Sequence, residues 1–255
     1  MKKILILVIV AANLFASCKK EDKPQTVFKG PEVMLHDGKA WSVVKTDASG
    51  LPVELTITLN DAVLSSVPVG SGGHGGHDQS NSVMLPLHEK VKTLTPFKYI
   101  IVDYNPDGHE PQAVYGLPHF DFHFYLMSDA ERLAIPPYEV DSSKFVAFPA
   151  PGMMPANYIP IPGGVPQMGT HWVDVTSPEL SGQKFTQTFI YGSYNNSVTF
   201  YEPMVTLDYM KTTAEFNRSI PQPAKVAVSG YYPTKMKIVK HDGVSDVTLT
   251  SFVYR

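Results

Sequence analysis

Eight residues near the middle of the chain, PHFDFHFY at 118–125, carry polar and aromatic side chains in alternation. The polar positions are His119, Asp121 and His123, and the aromatic positions are Phe120, Phe122 and Phe124. Because successive side chains of a β-strand point to opposite faces, this pattern predicts a strand with two unlike faces. One face would join an apolar core, and the other would carry two imidazoles and a carboxylate in a row. The rest of the fold must therefore supply a sheet around this strand.

Other segments also have the two-residue period of strands. Residues 52–60 alternate between apolar and polar side chains, and Asp242–Gly243 is a typical hairpin turn. With 22 prolines, 13 tyrosines and 13 phenylalanines, the composition favours strands joined by rigid turns. Two short helices are predicted over Asp129–Ala134 and Thr206–Phe216. The sequence therefore predicts a mostly-β chain, a single antiparallel β-sandwich or barrel-like domain with two short helices that spans residues 31–255.

The N-terminus has the three parts of a secretory signal. Lys2 and Lys3 precede the short apolar run Ile4–Val10, and small residues lead to Cys18. The segment that ends at Cys18 resembles a lipoprotein lipobox, so we expect residues 1–17 to be a signal peptide and Cys18 to be lipidated. Cys18 is also the only cysteine, and a lone thiol is a liability in an oxidising compartment. The alternative is a plain secreted protein that is cut near the same place.

Residues 18–30 are expected to form a polar, lipidated tether that attaches the protein to a membrane. Within this tether, Lys19 and Lys20 with the acidic residues after them resemble the signal that sends lipoproteins to the surface of some Gram-negative bacteria. The predicted location is therefore the outer membrane, on the cell surface or, alternatively, on its periplasmic face. The chain has 21 basic and 24 acidic residues and no basic stripe, which argues against nucleic acid as a partner. The sequence leaves a homo-oligomer and a small-molecule ligand open.

Several segments carry metal-binding types of side chain into the predicted core, and imidazole with carboxylate is a ligand set of zinc, iron and manganese. The candidate ligands are His119, Asp121, His123, His171 and Glu202, with His109 and Glu110 as supporting or alternative residues. Residues four apart on a straight strand lie about 13 Å apart, so His119 and His123 should not bind one ion. We expect His123 as a ligand with either Asp121 or His119 beside it. His171 and Glu202 would complete the set, and zinc is the favoured metal.

Simpler interpretations stand beside this site. Polar side chains opposite a row of phenylalanines are also typical of an antiparallel sheet with one solvated face. The glycine-rich loop at 71–81, which holds two histidines, is either a loose metal-binding loop or a flexible hairpin loop, and its composition favours the latter. A proline-rich irregular crossing at 149–169 leads to His171. Long irregular segments of this kind are often functional.

Four sequence blocks give a further indication. They are NPDGHEP at 105–111, PHFDFHFY at 118–125, GTHW at 169–172 and FYEPM at 200–204. Together they resemble the signature of an uncharacterised family of bacterial secreted proteins and lipoproteins, a domain of unknown function, over about residues 30–210. The resemblance implies a β-rich domain in which the histidines cluster, and it implies no activity. The residues that it singles out are His109, His119, Asp121, His123, His171 and Glu202.

Three functions are compatible with these features. The first is a metal-dependent enzyme, in which the ion would activate a water and Asp121 or Glu110 would act as base. The second is a non-catalytic lipoprotein that captures a metal or a small ligand. The third is a structural envelope module whose histidines only satisfy hydrogen bonds. No known catalytic motif decides between them, so the distances among the candidate ligands in the folded chain are the most useful observation.

Overall fold

The alternating segments pair into two antiparallel sheets of seven strands each in a computed structural model, which describes residues 25–70 and 79–255. The strands are β1 (Thr26–Lys29), β2 (Val33–Leu35), β3 (Gly38–Thr46), β4 (Pro52–Asn60), β5 (Ser82–Pro86), β6 (Tyr99–Asn105), β7 (His119–Tyr125), β8 (Tyr158–Pro160), β9 (Thr170–Asp174), β10 (Gln187–Tyr194), β11 (Ser197–Thr206), β12 (Glu215–Ser219), β13 (Tyr231–His241) and β14 (Val244–Tyr254). The central polar–aromatic segment of the sequence is β7.

The strand order of the first sheet is β1–β3–β4–β14–β13–β12, with β2 also paired to β3. The second sheet has the order β5–β6–β7–β11–β10–β9–β8, so β7 lies in its interior. The two sheets pack face to face as a sandwich, and the strands of the described residues do not close into a barrel. The prediction of a mostly-β antiparallel sandwich is therefore confirmed.

The core lies between the two sheets and includes the aromatic face of β7. Phe120, Phe122 and Phe124 are each 0% exposed and belong to a cluster that also contains Leu55 and Ile57 of the first sheet. Burying a side chain of this kind stabilises a fold by about 1.5–3 kcal/mol. The alternation of β7 thus commits its aromatic residues to the core and turns its polar residues to the opposite side of the second sheet.

Six short α-helices occur in the described residues, where the sequence predicted two. They are α1 (Asp61–Ser66), α2 (Glu89–Leu94), α3 (Gln112–Tyr115), α4 (Asp129–Leu133), α5 (Ser142–Phe145) and α6 (Leu207–Thr212). α4 begins with a capping box in which Ser128 and Glu131 hydrogen-bond reciprocally. Within the described ranges, no helix has the length and hydrophobicity that a membrane span requires.

The predicted helix Thr206–Phe216 is shorter in the structure. α6 ends at Thr212, and β12 follows it as an edge strand that pairs with β13. The segment after α6 alternates between exposed and half-buried residues, as a strand does, and Phe216 packs against the core from it. The predicted signal peptide, Cys18 and residues 71–78 of the glycine-rich loop lie outside the described residues.

Candidate metal centre

The polar face of β7 is buried. His119, Asp121 and His123 are 0%, 2% and 1% exposed, so the interpretation of this row as the solvated face of a one-sided sheet is wrong. Two small apolar clusters, one around Tyr125 and one around Met204, flank the polar row on the same side of the sheet. Burial away from water requires that every charge in the row has a partner of opposite charge.

Strand pairing brings acidic and basic side chains from neighbouring strands to this face. β11 pairs with β7 so that Met204 lies opposite Asp121, which puts Glu202 on the same face two residues away. β9 is separated from β11 only by β10 and contributes His171. Because adjacent strands lie about 4.8 Å apart, residues that are distant in the sequence meet here.

Gly192 of β10 makes room for a phenyl ring between two of the histidines. A Cβ atom at Gly192 would lie 2.2 Å from Cε1 of Phe200, so the close approach of this ring requires glycine. The Phe200 ring centroid lies 4.9 Å from that of His123 and 5.3 Å from that of His171. The ring therefore restricts the positions of both imidazoles.

His123, His171 and Glu202 form one set, which we call the inner group. His123 Nε2 lies 3.3 Å and His171 Nε2 lies 3.8 Å from the same atom, Glu202 Oε2. Within the described part of the chain, the buried atoms His123 Nε2 and Glu202 Oε2 have no aligned hydrogen-bond partner. Ligand atoms of a tetrahedral zinc ion lie about 3.3 Å apart, so the inner group has the spacing of atoms that share an ion.

Asp103 of β6 lies behind His123, and the sequence patterns did not single it out. Its Oδ2 atom is 3.0 Å from His123 Nδ1, and its side chain is 8% exposed, so the two form a close charge contact rather than an aligned hydrogen bond. A carboxylate beside the second ring nitrogen orients a metal-binding imidazole and sets which nitrogen faces the ion. The available signal was an aspartate inside the otherwise largely apolar strand YIIVDYN, residues 99–105.

His109, His119 and Asp121 form a second set, the outer group. His119 Nε2 lies 3.2 Å from Asp121 Oδ1, and His109 Nε2 lies 3.6 Å from Asp121 Oδ2. Asp121 Oδ1 is buried and has no hydrogen-bond partner among the described residues, whereas Oδ2 accepts a 2.7 Å hydrogen bond from Asn105 Nδ2. In each group, one ligand atom per residue lies within 4.8 Å of the others. Both groups therefore offer two imidazoles and one carboxylate.

Backbone carbonyls hold the imidazoles of the outer group. His119 Nδ1 lies 2.6 Å from the carbonyl oxygen of Leu117, and His109 Nδ1 lies 2.9 Å from that of Glu110. A carbonyl oxygen only accepts hydrogen bonds, so each Nδ1 carries the hydrogen and donates it. Both Nε2 atoms, which in a neutral imidazole are then the metal-binding nitrogens, lie toward Asp121.

Three buried carboxylates, those of Asp103, Asp121 and Glu202, lie on this face of the sheet. Across the described residues, the ion pairs that they form are all with histidines. No lysine or arginine of the described ranges lines the cavity beside Asp121 and His123, whereas Arg132 lines the neighbouring cavity that Asp103 reaches. The positive charge beside Asp121 and Glu202 must therefore come from protonated imidazoles or from a bound cation.

Without a metal, protons supply this charge. Burial lowers the pKa of His109, but the nearby carboxylate of Asp121 outweighs that effect and raises the pKa to about 9. Burial likewise lowers the pKa of His123, but Glu202 and Asp103 raise it well above its usual value. Burial raises the pKa of Glu202, and the charge of His123 offsets only part of that rise. The two histidine shifts share one cause, which is that nearby carboxylates favour a cation at the histidine positions, whereas the pKa of Glu202 rises because burial disfavours its charged form.

The pKa of Asp121 shows the opposite shift. Burial raises it, but the charges of His119 and His109 outweigh burial and hold it well below its usual range. The outer group therefore presents an ionised carboxylate, which is the form that binds a metal.

Both groups face one cavity of about 510 Å³. Asp121, His123 and His171 line it together with the proline-rich stretch at 161–166. The side chains of His109 and His171 are 31% and 18% exposed, so each group has one residue that reaches solvent. A volume of several hundred Å³ is typical of small-molecule sites. An ion in either group would therefore be accessible to a small molecule.

The five predicted ligands divide between the two groups. His119 and His123 are in separate groups, as strand spacing predicts, and neither Asp121 nor His119 lies beside His123 as expected. The reason is that Asp121 turns toward His119 on its own strand, whereas Glu202 of β11 approaches His123 from the neighbouring strand. His109 belongs to the outer group, and the Glu110 carboxylate belongs to neither, because it accepts a 2.8 Å hydrogen bond from the backbone N–H two residues later.

No family model, curated protein or solved structure matches the chain. The interpretation of the site therefore depends on its geometry. That geometry places two buried sets of histidine and carboxylate side chains where each could hold a metal ion.

Proposed function

We propose that this protein binds a divalent metal ion at the inner group, through His123 Nε2, His171 Nε2 and Glu202 Oε2. One observation carries the proposal: two of these atoms are buried, lie 3.3 Å apart and make no aligned hydrogen bond within the described ranges. Buried polar groups left in this state cost about 1–3 kcal/mol each, and more when charged. A cation that binds both atoms removes this cost. Two imidazoles and a carboxylate suit zinc, which is the metal that we expect.

The open side of the inner group favours a reaction over storage. Three protein ligands leave one position of a tetrahedral zinc ion vacant for another molecule, and the inner group faces the cavity. Zinc held in this way lowers the pKa of a bound water to about 7 and polarises a bound carbonyl group. Asp103 would hold His123 in the orientation that such an ion needs. A metal-dependent reaction on a small molecule is therefore the activity that we propose, ahead of metal capture alone.

Metal analysis of the purified mature protein tests the inner site. Protein that is stripped with a chelator and reloaded with zinc should retain the ion through gel filtration. The variants His171→Ala and Glu202→Gln should each lose one equivalent. The matched control is His241→Ala on the first sheet, where His241 Nε2 lies 3.1 Å from Asp246 Oδ2 but both side chains reach solvent. This control should keep all of its zinc.

Two results would contradict the proposal. One is wild-type protein that retains no zinc. The other is a folded inner-group variant, with the circular dichroism spectrum of the wild type, that retains as much zinc as the wild type. Because Glu202→Gln keeps the size of the buried side chain, it separates loss of the ligand from loss of packing.

We further propose that the protein works at the outer membrane, anchored by a lipid on Cys18, and belongs to the uncharacterised lipoprotein family. The N-terminal sequence and the four sequence blocks support this proposal. Cells fed radiolabelled palmitate should yield a labelled, membrane-associated protein, and Cys18→Ala should be unlabelled. Label that persists in Cys18→Ala, or an unlabelled wild type, would overturn the lipid anchor.

A further inference from the structure

We propose that the outer group, His109, His119 and Asp121, is a second divalent-metal site, so that the cavity holds two ions. The inference goes beyond the proposed function, because the outer group shares no residue with the inner group. One ion cannot serve both groups. His119 and His123 are four residues apart on β7, about 13 Å along the strand, whereas metal–nitrogen bonds are about 2 Å long.

The two imidazoles of the outer group are already oriented for a metal ion. The carbonyl groups of Leu117 and Glu110 accept the Nδ1 hydrogens of the two histidines, which leaves both Nε2 atoms toward Asp121. Histidines that bind metals almost always donate their other ring N–H to a carbonyl, a carboxylate or a water in this way. A site that is ordered before the metal arrives loses little conformational entropy when it binds.

One carboxylate oxygen of Asp121 is buried without an aligned hydrogen bond. The Asp121 side chain is 3% exposed, and its Oδ1 atom has no aligned hydrogen-bond partner among the described residues. An ion pair with protonated His109, at 3.6 Å from Oδ2, would balance the charge but would leave Oδ1 without a partner. A metal ion that binds Oδ1 together with the Nε2 atom of His119, 3.2 Å away, gives Oδ1 a partner and replaces the long 3.5 Å contact between His119 Nε2 and Asn105 Nδ2.

The outer group is accessible from solvent, and the charges around it favour a cation. His109 lines the cavity and is 31% exposed, so a cation can reach the outer group from solvent. Asp103, Asp121 and Glu202 are the buried carboxylates beside the two sites, and Glu110 also lines the cavity. Two divalent ions would exceed the three buried carboxylates by one positive charge, which Glu110, a hydroxide or an anionic group of a bound molecule would balance.

Zinc stoichiometry tests the second site. The full mature chain is stripped with a chelator, reloaded with excess zinc and passed through a gel-filtration column, and zinc and protein are measured in the same fractions. We expect two equivalents in the wild type and in His241→Ala. The outer-group variants His109→Ala and Asp121→Asn should retain one equivalent, and so should His171→Ala. The double variant of His109→Ala and His171→Ala should retain none.

The outcomes separate this inference from the proposed function. One equivalent in the wild type that persists in His109→Ala and Asp121→Asn would overturn the outer site and leave the inner site standing. One equivalent that is lost from inner and outer variants alike would mean a single shared ion and would also overturn it. Two equivalents that both persist in the outer variants would place the second ion elsewhere on the chain. No retained zinc in the wild type would overturn both sites.

His109→Ala is the outer-group variant that is expected to fold like the wild type. His109 is partly exposed and lies in the segment between β6 and β7, so its loss should leave the core intact. Equal thermal melting of the metal-free wild type and metal-free His109→Ala would establish this. Cobalt gives a second readout, because loss of one site should halve the visible absorption of a chain that holds two ions.

Discussion

The outer faces of the two sheets carry similar charged side chains in opposite surroundings. On the first sheet, Glu54 lies 2.8 Å from Lys45 and 3.1 Å from Lys237, and the two lysines are 39% and 30% exposed. His241 and Asp246 lie 3.1 Å apart on the same sheet, with 47% and 22% exposed side chains. Water solvates these pairs, and exposed pairs of this kind contribute about 0–1 kcal/mol.

On the second sheet, His123 and Glu202 lie 3.3 Å apart and are each 1% exposed. The separation of the two partners is nearly that of His241 and Asp246, but the loss of water costs several kcal/mol per ion. Nor does a lysine or arginine in the described ranges line the cavity to share the cost. Burial, rather than residue type, therefore turns a histidine–carboxylate contact into a site that requires a cation.

Removal of the metal should have the largest effect on thermal stability. The loss should come from the second sheet, where both candidate metal groups lie. A ligand present at 1,000 times its Kd stabilises a protein by about 4.1 kcal/mol. For a chain of this size, each kcal/mol corresponds to about 2–4 °C in Tm. We therefore expect a chelator to lower the Tm of zinc-loaded protein by about 10 °C, measured by circular dichroism.

Chelation of variants tests whether the decrease in Tm depends on the second sheet alone. His241→Ala should show the full wild-type decrease in Tm on chelation, because its contact is solvated. The double variant of His109→Ala and His171→Ala should show almost none. If the wild type melts at the same temperature with and without chelator, the metal contributes no stability and the proposed energetic difference between the two sheets is wrong.

A methyl group at Gly192 should have the next largest effect. Its Cβ would lie 2.2 Å from the Phe200 ring, so the ring must move away from both imidazoles that it contacts. Overpacking of this kind costs about 1–3 kcal/mol. We expect Gly192→Ala to lower the free energy of unfolding by about this amount, measured in urea. It should also weaken zinc binding.

Removing the clashing ring provides the control. Adding Phe200→Leu to Gly192→Ala should restore part of the lost stability, because leucine is shorter. A Gly192→Ala protein as stable as the wild type would show that the ring does not need the glycine.

The carboxylate behind His123 should have a smaller effect, confined to metal affinity. Asp103→Asn keeps the shape of the side chain but removes the charge that orients the imidazole. Loss of such a partner typically weakens metal binding 10–100-fold, which we expect in a competition titration against a chromogenic chelator. Asp246→Asn is the matched control, because Asp246 contacts His241 on the exposed sheet. Equal zinc affinity in Asp103→Asn and Asp246→Asn would contradict a role for Asp103 at the metal.

Asp103 also marks the limit of what the sequence predicts. The two-residue period is local, so it correctly predicts that His119, Asp121 and His123 share a face of β7. Which residue lies beside His123 depends on the register between strands. That register depends on turns and on packing across the sandwich, and a one-residue shift would move every side chain to the other face. The contact with Asp103 is therefore absent from the pattern of either strand.

Burial of the polar row is the other feature that the sequence did not decide, because both a shared core and a solvated face fitted the pattern. The proline-rich segment at 149–169 is recognisable as an irregular crossing, but its composition does not tell which face it covers. In the structure, residues 161–166 close one side of the cavity above the second sheet. The tertiary contacts of this segment, and not its local sequence pattern, exclude the interpretation of the polar row as a solvated face.

Neutralising Glu54 on the first sheet should have the smallest effect of all. Partial burial raises the pKa of Glu54, but the ammonium groups of Lys45 and Lys237 outweigh it and hold the pKa below its usual value. A pKa that is lower in the folded than in the unfolded state stabilises the fold above the unfolded value of about 4.3. This contribution is lost as the pH falls through the folded-state pKa.

Glu54→Gln should therefore lower the free energy of unfolding by less than about 1 kcal/mol at neutral pH, measured in urea. The difference from the wild type should shrink near pH 3 and in about 1 M salt, since protonation and screening both weaken the pair. The comparison of the two sheets requires this small value. A cost at neutral pH above that of chelating the metal would mean that the exposed sheet, and not the buried one, carries the larger electrostatic contribution to folding.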